Sequence, residues 1–211
     1  MPITIFLYGH YACPHTFIAQ GRLDVLASEA PVTTGWRPLA PPARDFPADW
    51  TGITGPDEGI ADVLPALRRD AATLGLTITL PPVPPDPRLP LQAAEFARDC
   101  GAEVFARFHR RLFRAVFEDA RDVADAGVLL ELAEEAGVDR EGLGAALEDG
   151  RYEAALREAE EEAERYAIDA TPTLLIGRYK LVGAAPLDVL RSTLERAGAG
   201  AAAEPKGNEE A

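Results

Sequence analysis

The sequence predicts an α/β fold in which a small sheet domain is interrupted by a helical insertion. Three observations carry this reading. An apolar run at residues 3–8 leads directly into helical periodicity at Phe17, Ile18, Leu23 and Leu26. Residues 89–166 then read as almost wholly helical. β character returns at 173–176 and 179–182, with a turn at Gly177, and a last helix covers 186–196. The order is β-α-β, a helical block, then β-β-α. Strands at both ends of a chain with one helical block between them close into one sheet if the block is looped out.

Each element has its own signal. The run at 3–8 is a buried strand. The helix over 14–30 opens on Pro14, whose missing N–H costs nothing in a first turn. A second strand is expected at 32–39, broken by Gly35. Residues 38–56, rich in Pro, Asp and Gly, are expected to form a long loop. Ile60, Val63, Leu64 and Leu67 predict a helix over 57–74, ended by Gly75 and kinked or split by Pro65. Alternating β-branched and leucine residues at 76–80 predict a short strand. Six prolines in 81–90 force extended or turned backbone, and Asp86-Pro87 suits a helix N-cap followed by proline.

The helical block breaks near Gly101, Asp122, Gly137 and Gly150. Phe105, Phe108, Leu112, Phe113, Val116 and Phe117 share one face and belong in a core. The acidic stretch 151–166 carries Glu153/Arg157 and Glu161/Arg165, four apart in the favourable orientation, and reads as a solvated helix. Residues 197–211, rich in Ala, Gly and Glu, lack periodicity and are expected to be disordered. The domain reading is 1–56 and 167–196 for the α/β part, 57–166 for the insertion and 197–211 for a tail.

The formal net charge of −14 repels phosphate backbones, so nucleic-acid binding is excluded. Lys180 and Lys206 are the only lysines, and arginine carries nearly all the positive charge. Two cysteines, Cys13 and Cys100, make no disulfide framework. No signal peptide and no membrane span are legible, and a cytoplasmic, reducing location follows as the expectation.

The chemistry centres on Cys13-Pro14-His15-Thr16. A lone cysteine is most often a small buried hydrophobe. This one stands where a strand gives way to a helix, facing unpaired N–H groups and the positive end of the helix dipole. That setting favours a thiolate. A protonated His15 would stabilise it further, and the Thr16 hydroxyl can donate to it. Cys100, beside Gly101 in the insertion, reads as a buried or incidental thiol. His10 is either a group near the reactive thiol, facing substrate, or a plain surface histidine. His109, on a helix face among arginines, reads as structural. Before the strand at 173 stands Ala170-Thr171-Pro172-Thr173, where a proline at a strand start suits either a cis bond or a trans edge.

Together these motifs resemble the DsbA-like branch of the thioredoxin superfamily. Cys13-Pro14-His15-Thr16 is similar to that family's Cys-Pro-His-Cys, and Ala170-Thr171-Pro172-Thr173 to its cis-proline loop. Leu132-Ala133-Glu134-Glu135-Ala136-Gly137 and residues 177–184 are similar to text in the cytoplasmic FrnE-like group. The resemblance spans about residues 3–196. It implies a thioredoxin-like fold with an all-helical insertion, catalysis by Cys13, His15 and Thr16, and substrate binding by Pro14, Thr171, Pro172 and His10. It implies thiol and disulfide partners, protein or small molecule, with no metal or organic cofactor, and glutathione as a candidate co-substrate. The chain is expected to be a monomer or homodimer.

Thr16 stands where that family has its second cysteine. A dithiol enzyme uses that cysteine to resolve its mixed disulfide, so an external thiol must do so here. Two other readings stay open. Kappa-class glutathione transferases and 2-hydroxychromene-2-carboxylate isomerases share the fold but carry serine at the reactive position. Their late glutathione-binding turn reads Gly183-Ala184-Ala185-Pro186 here, without Asp or Ser. The third reading is a non-catalytic, peptide-binding or chaperone-like relative.

Overall fold

A computed structural model describes residues 2–41, 46–47, 49–50 and 59–203. In chain order the elements are β1 (Ile3–Gly9), α1 (Pro14–Glu29), β2 (Val32–Pro38), α2 (Ile60–Thr73), α3 (Arg88–Asp99), α4 (Ala102–Phe117), α5 (Ala126–Ala136), α6 (Arg140–Glu148), α7 (Glu153–Arg165), β3 (Thr173–Ile176), β4 (Tyr179–Val182) and α8 (Leu187–Ala203). The strands form one sheet in the order β2-β1-β3-β4. β1 runs parallel to β2 and antiparallel to β3, and β3 runs antiparallel to β4. The predicted α/β domain with a helical insertion is the fold observed.

β1 is central, so both of its faces are covered and its residues divide by the two-residue period of a strand. Ile5 and Leu7 face the main core, with Phe17, Ile18 and Leu23 of α1, Leu174 and Ile176 of β3, and Phe108, Leu112 and Phe113 of α4. Phe6 and Tyr8 face the other way, onto Ala163 of α7 and Ile168. Polar contacts fasten that second face. The Tyr8 hydroxyl donates to Glu162 at 2.7 Å and Arg37 pairs with the same carboxylate at 3.0 Å.

Helix ends follow local chemistry. The Asp125 side chain accepts from Val128 N and caps α5, and Asp139 does the same for α6 from Glu141 N. Gly137 ends α5 in the left-handed region at φ 78°. The Asp86 carboxylate accepts from Arg88 N, so Pro90 falls in the first turn of α3.

Several expectations need correction. Residues 76–80 form no strand; Thr79 N instead donates to Phe117 O at the end of α4. Pro65 neither splits nor ends α2. The carbonyl that a proline leaves without its helical donor, that of Ala61, belongs to an exposed residue, where solvent can reach it. The helix of residues 57–74 begins at Ile60, and residues 51–58 lie outside those described, as does much of the expected 38–56 loop. The tail of residues 197–211 is helical through Ala203, and 204–211 lie outside the described residues.

Gly35 does not break β2. It pairs with Phe6, whose ring lies across it, and a Cβ there would sit 2.6 Å from the ring. The Arg37 guanidinium, 4.4 Å over the same ring, holds the ring down. Gly35→Ala should therefore cost about 1–3 kcal/mol. It should lower the urea midpoint without changing the m-value, and Phe6→Leu in the same chain should restore part of the loss. An unchanged midpoint in Gly35→Ala would show that the ring moves aside freely.

Candidate functional site

The site forms where β1 ends and α1 begins. Cys13 is the N-cap of α1, with φ −97° and ψ 112°, and Pro14 follows inside the first turn. The Cys13 carbonyl takes the first helical bond, from Phe17 N at 3.1 Å, and Cys13 N donates back to His10 O at 3.3 Å. Cys13 therefore stands where Ser or Asp would normally cap a helix, and His15 and Thr16 occupy the second and third helical positions whose N–H groups such a cap receives. The sulfur does not act as a cap here. It donates its own proton to the Thr171 carbonyl, 3.7 Å away.

Thr171 arrives through a different element. The Thr171–Pro172 peptide bond is cis, and Pro172 is buried at the head of β3. Thr173 Oγ1 donates to Ala170 O at 2.7 Å, and Gly183 N donates to Pro172 O at 2.8 Å. These bonds set the loop in front of Cys13. At rest the carbonyl of Thr171, a residue expected to bind substrate, faces the thiol.

Cys13 is only 1% exposed. Burial pushes its thiol up, and four weaker influences pull it down: the Thr16 hydroxyl, the Thr16 N–H, the Thr171 contact and the His15 N–H. Desolvation wins because the N–H groups of a helix start compensate a buried thiolate only in part. This reverses the expected lowering. His15, half-buried, acts on the sulfur through its backbone N–H.

Thr16 is fully buried, and its hydroxyl has no hydrogen-bond partner among the described residues. The same hydroxyl is nonetheless close enough to the sulfur to lower the thiol's pKa. Both facts follow from one geometry, which falls short of a hydrogen bond to a protonated sulfur and suits a thiolate. Gly9 makes room for it: a Cβ there would meet Thr16 Cγ2 at 2.4 Å.

His10 is buried, not a plain surface histidine. Its Nδ1 accepts from Ala12 N at 3.3 Å, bracing the turn, and burial lowers its pKa to about 4. His109 is buried too, with a pKa lowered by burial to about 3, and bonds to Tyr11 and Gln20. Cys100 is exposed, not buried, at the end of α3. Twelve residues, about 18 Å of helix, separate it from the α3 end beside Asp86. Asp86 is the carboxylate felt at His10, so Cys100 lies outside disulfide reach of Cys13. Tyr11 and Gly9 were not singled out in the sequence, although an aromatic and a glycine at a strand end just before the cysteine were available signals.

A family model described as DSBA-like thioredoxin domain matches residues 4–195. The uncharacterized protein YwbO of Bacillus subtilis (strain 168) is 28% identical over 200 residues, which is 92% of this chain and 96% of the relative. A solved structure of a probable DsbA oxidoreductase from Streptomyces coelicolor has a TM-score of 0.80 at 23% identity, covering 99% of this chain and 94% of its own. A 2-hydroxychromene-2-carboxylate isomerase structure has a TM-score of 0.77 at 20% identity, covering 94% and 98%. At these identities the structures share the fold.

Two outcomes follow from the burial of these groups. At neutral pH, alkylation of Cys13 should lag that of exposed Cys100, measured site by site by mass spectrometry; faster labelling of Cys13 would contradict the buried resting thiol. Stability should also fall on both sides of neutrality. His10 and His109 take up protons near pH 6.5 when unfolded but only near 4 and 3 when folded. Their contribution is present above about pH 6.5 and is lost as pH drops through that window. Cys13, raised in the fold, contributes below about pH 8.5 and loses that contribution as pH climbs past it. Urea midpoints against pH should show both limbs, and His10→Asn should flatten the acid limb.

Proposed function

The chain belongs to the DSBA-like thioredoxin domain family, and within it we propose a single-cysteine thiol–disulfide oxidoreductase that acts through Cys13 and an external resolving thiol. The observation that carries this reading is Cys13 Sγ against Thr171 O at the cis Thr171–Pro172 bond, with Thr16 in the place of a second cysteine.

Ionised Cys13 attacks a disulfide, forms a bond to one sulfur and expels the other as a thiolate. The proton lost from Cys13 ends on that leaving sulfur. An external thiolate then attacks the mixed disulfide, takes the bound sulfur into a new disulfide and returns Cys13 as the thiolate. As the Cys13 proton leaves, its sulfur becomes an acceptor for the Thr16 hydroxyl, which has no partner at rest among the described residues, beside the N–H groups of His15 and Thr16 at the helix start. Thr171, half-buried in front of the sulfur, then has its carbonyl free for the main chain of an extended substrate. The FrnE-like grouping and a cytoplasmic location belong to this reading. Among the described residues no helix is long and apolar enough to cross a membrane.

A glutathione-dependent transferase or isomerase is the second reading, favoured by a single reactive position in place of a pair. Against it, the turn at Gly183 to Pro186 offers no carboxylate or hydroxyl, and the Ala184 carbonyl is taken by the buried Arg22.

Intact mass after incubation with a peptide disulfide, and separately with glutathione disulfide, tests the reading. The expected result is a mixed disulfide with the peptide at Cys13, absent in Cys13→Ser. Thr16→Cys should form an internal disulfide and release the peptide unaided, since residues three apart in a first helical turn lie about 5–6 Å apart. An adduct with glutathione alone supports the second reading. No adduct with either leaves a peptide-binding, non-catalytic role.

A further inference from the structure

The turn that carries Cys13 is bonded to the helical insertion by a chain of polar groups, buried at its inner end and exposed at its outer end. Tyr11, two residues before the cysteine and wholly buried, has its hydroxyl 2.8 Å from His109 Nδ1 of α4. His109 Nε2 lies 3.1 Å from Gln20 Oε1 of α1. Gln20 Nε2 donates to Asp24 Oδ1 at 3.1 Å, and Asp24 pairs with Arg110 of α4 at 3.5 Å.

The direction of every bond is set from the outer end. A carboxylate only accepts, so the Gln20 amide turns its NH2 to Asp24 and its oxygen to His109. His109 must then carry its proton on Nε2, which leaves Nδ1 as the acceptor for the Tyr11 O–H. Burial lowers its pKa to about 3 and keeps the imidazole neutral, so Nδ1 accepts and does not donate. Rings close around the joint: Trp36, Phe105 and Phe113 lie with centroids 4.7, 5.2 and 5.1 Å from His109. Tyr11, wholly buried, cannot shift without breaking its hydrogen bond, and an unmade bond at a buried hydroxyl is costly.

We propose that His109 is a positioning residue for Cys13: through Tyr11 it latches the residue 9–13 turn to the insertion and holds the thiol in its buried resting position. The proposal rests on Cys13 being the reactive thiol. Reaction with a disulfide requires the sulfur to reach solvent, and the latch sets how often the turn opens.

Alkylation by iodoacetamide reads that opening without any disulfide chemistry, and exposed Cys100 is an internal control. Tyr11→Phe and His109→Leu should each speed Cys13 labelling roughly three- to tenfold, the loss expected for one net hydrogen bond. Cys100 labelling should not change. The double variant should gain no more than either single one, because both break the same link. His109→Gln, whose amide can accept from Tyr11 and donate to Gln20, should restore the slow rate. A folded Tyr11→Phe with unchanged Cys13 labelling overturns the latch. So does acceleration that rises steeply with sub-denaturing urea or extends to Cys100, since those report global loosening. If the latch variants speed alkylation while no form of the protein takes up a disulfide, the latch stands and the oxidoreductase reading fails.

Discussion

The contact between the Cys13 thiol and the Thr171 carbonyl joins residues 158 positions apart. It exists because β1 pairs with β3 in register, Tyr8 against Thr173 and Leu7 against Leu174, which brings the end of one strand to the start of the other. After β2, which stays in the sheet, the chain must loop out and return. The entropy of closing so long a loop grows only slowly with its length. The returning chain can therefore carry five helices, α3 to α7, if they form a core of their own. α4 supplies that core, with Phe108, Leu112, Phe113, Val116 and Phe117 all buried.

Two opposed effects meet at the sulfur. A helix start offers N–H groups to an anion, and burial withholds the water that an anion needs. With the sulfur protonated, the thiol spends its hydrogen on Thr171 and leaves the Thr16 hydroxyl unpartnered. With the sulfur ionised, the same donors would be satisfied. The site is thus complementary to a state other than its resting one, which is the general form of a pre-organised reactive centre.

The insertion covers the site and also fastens it. Tyr11 packs at a tilt against Trp36 of β2 and Phe113 of α4, so the residues before Cys13 are embedded in the joint between sheet and insertion. On the opposite face α7 is tied down by Tyr8, Arg37 and Glu162. β1 is thereby gripped from both sides, and the loop that leaves its end inherits that rigidity. Placing reactive groups on loops held by a rigid scaffold is a common arrangement.

By itself the sequence determined the order of elements, the cysteine at a helix start and the proline loop before β3. These depend on period, capping and turn chemistry within a few residues, and such local rules are legible in one dimension. Only the tertiary structure decided the rest. It turned residues 76–80 from a strand into a segment bonded to the end of α4, and it kept Gly35 inside β2 beneath Phe6. It buried His10 and His109, and it exposed Cys100. Above all it reversed the direction of the Cys13 pKa. The helix start that favours a thiolate is local and visible. The desolvation that outweighs it is summed over groups brought together from β1, α1 and the β3 loop, and no stretch of the chain contains that sum.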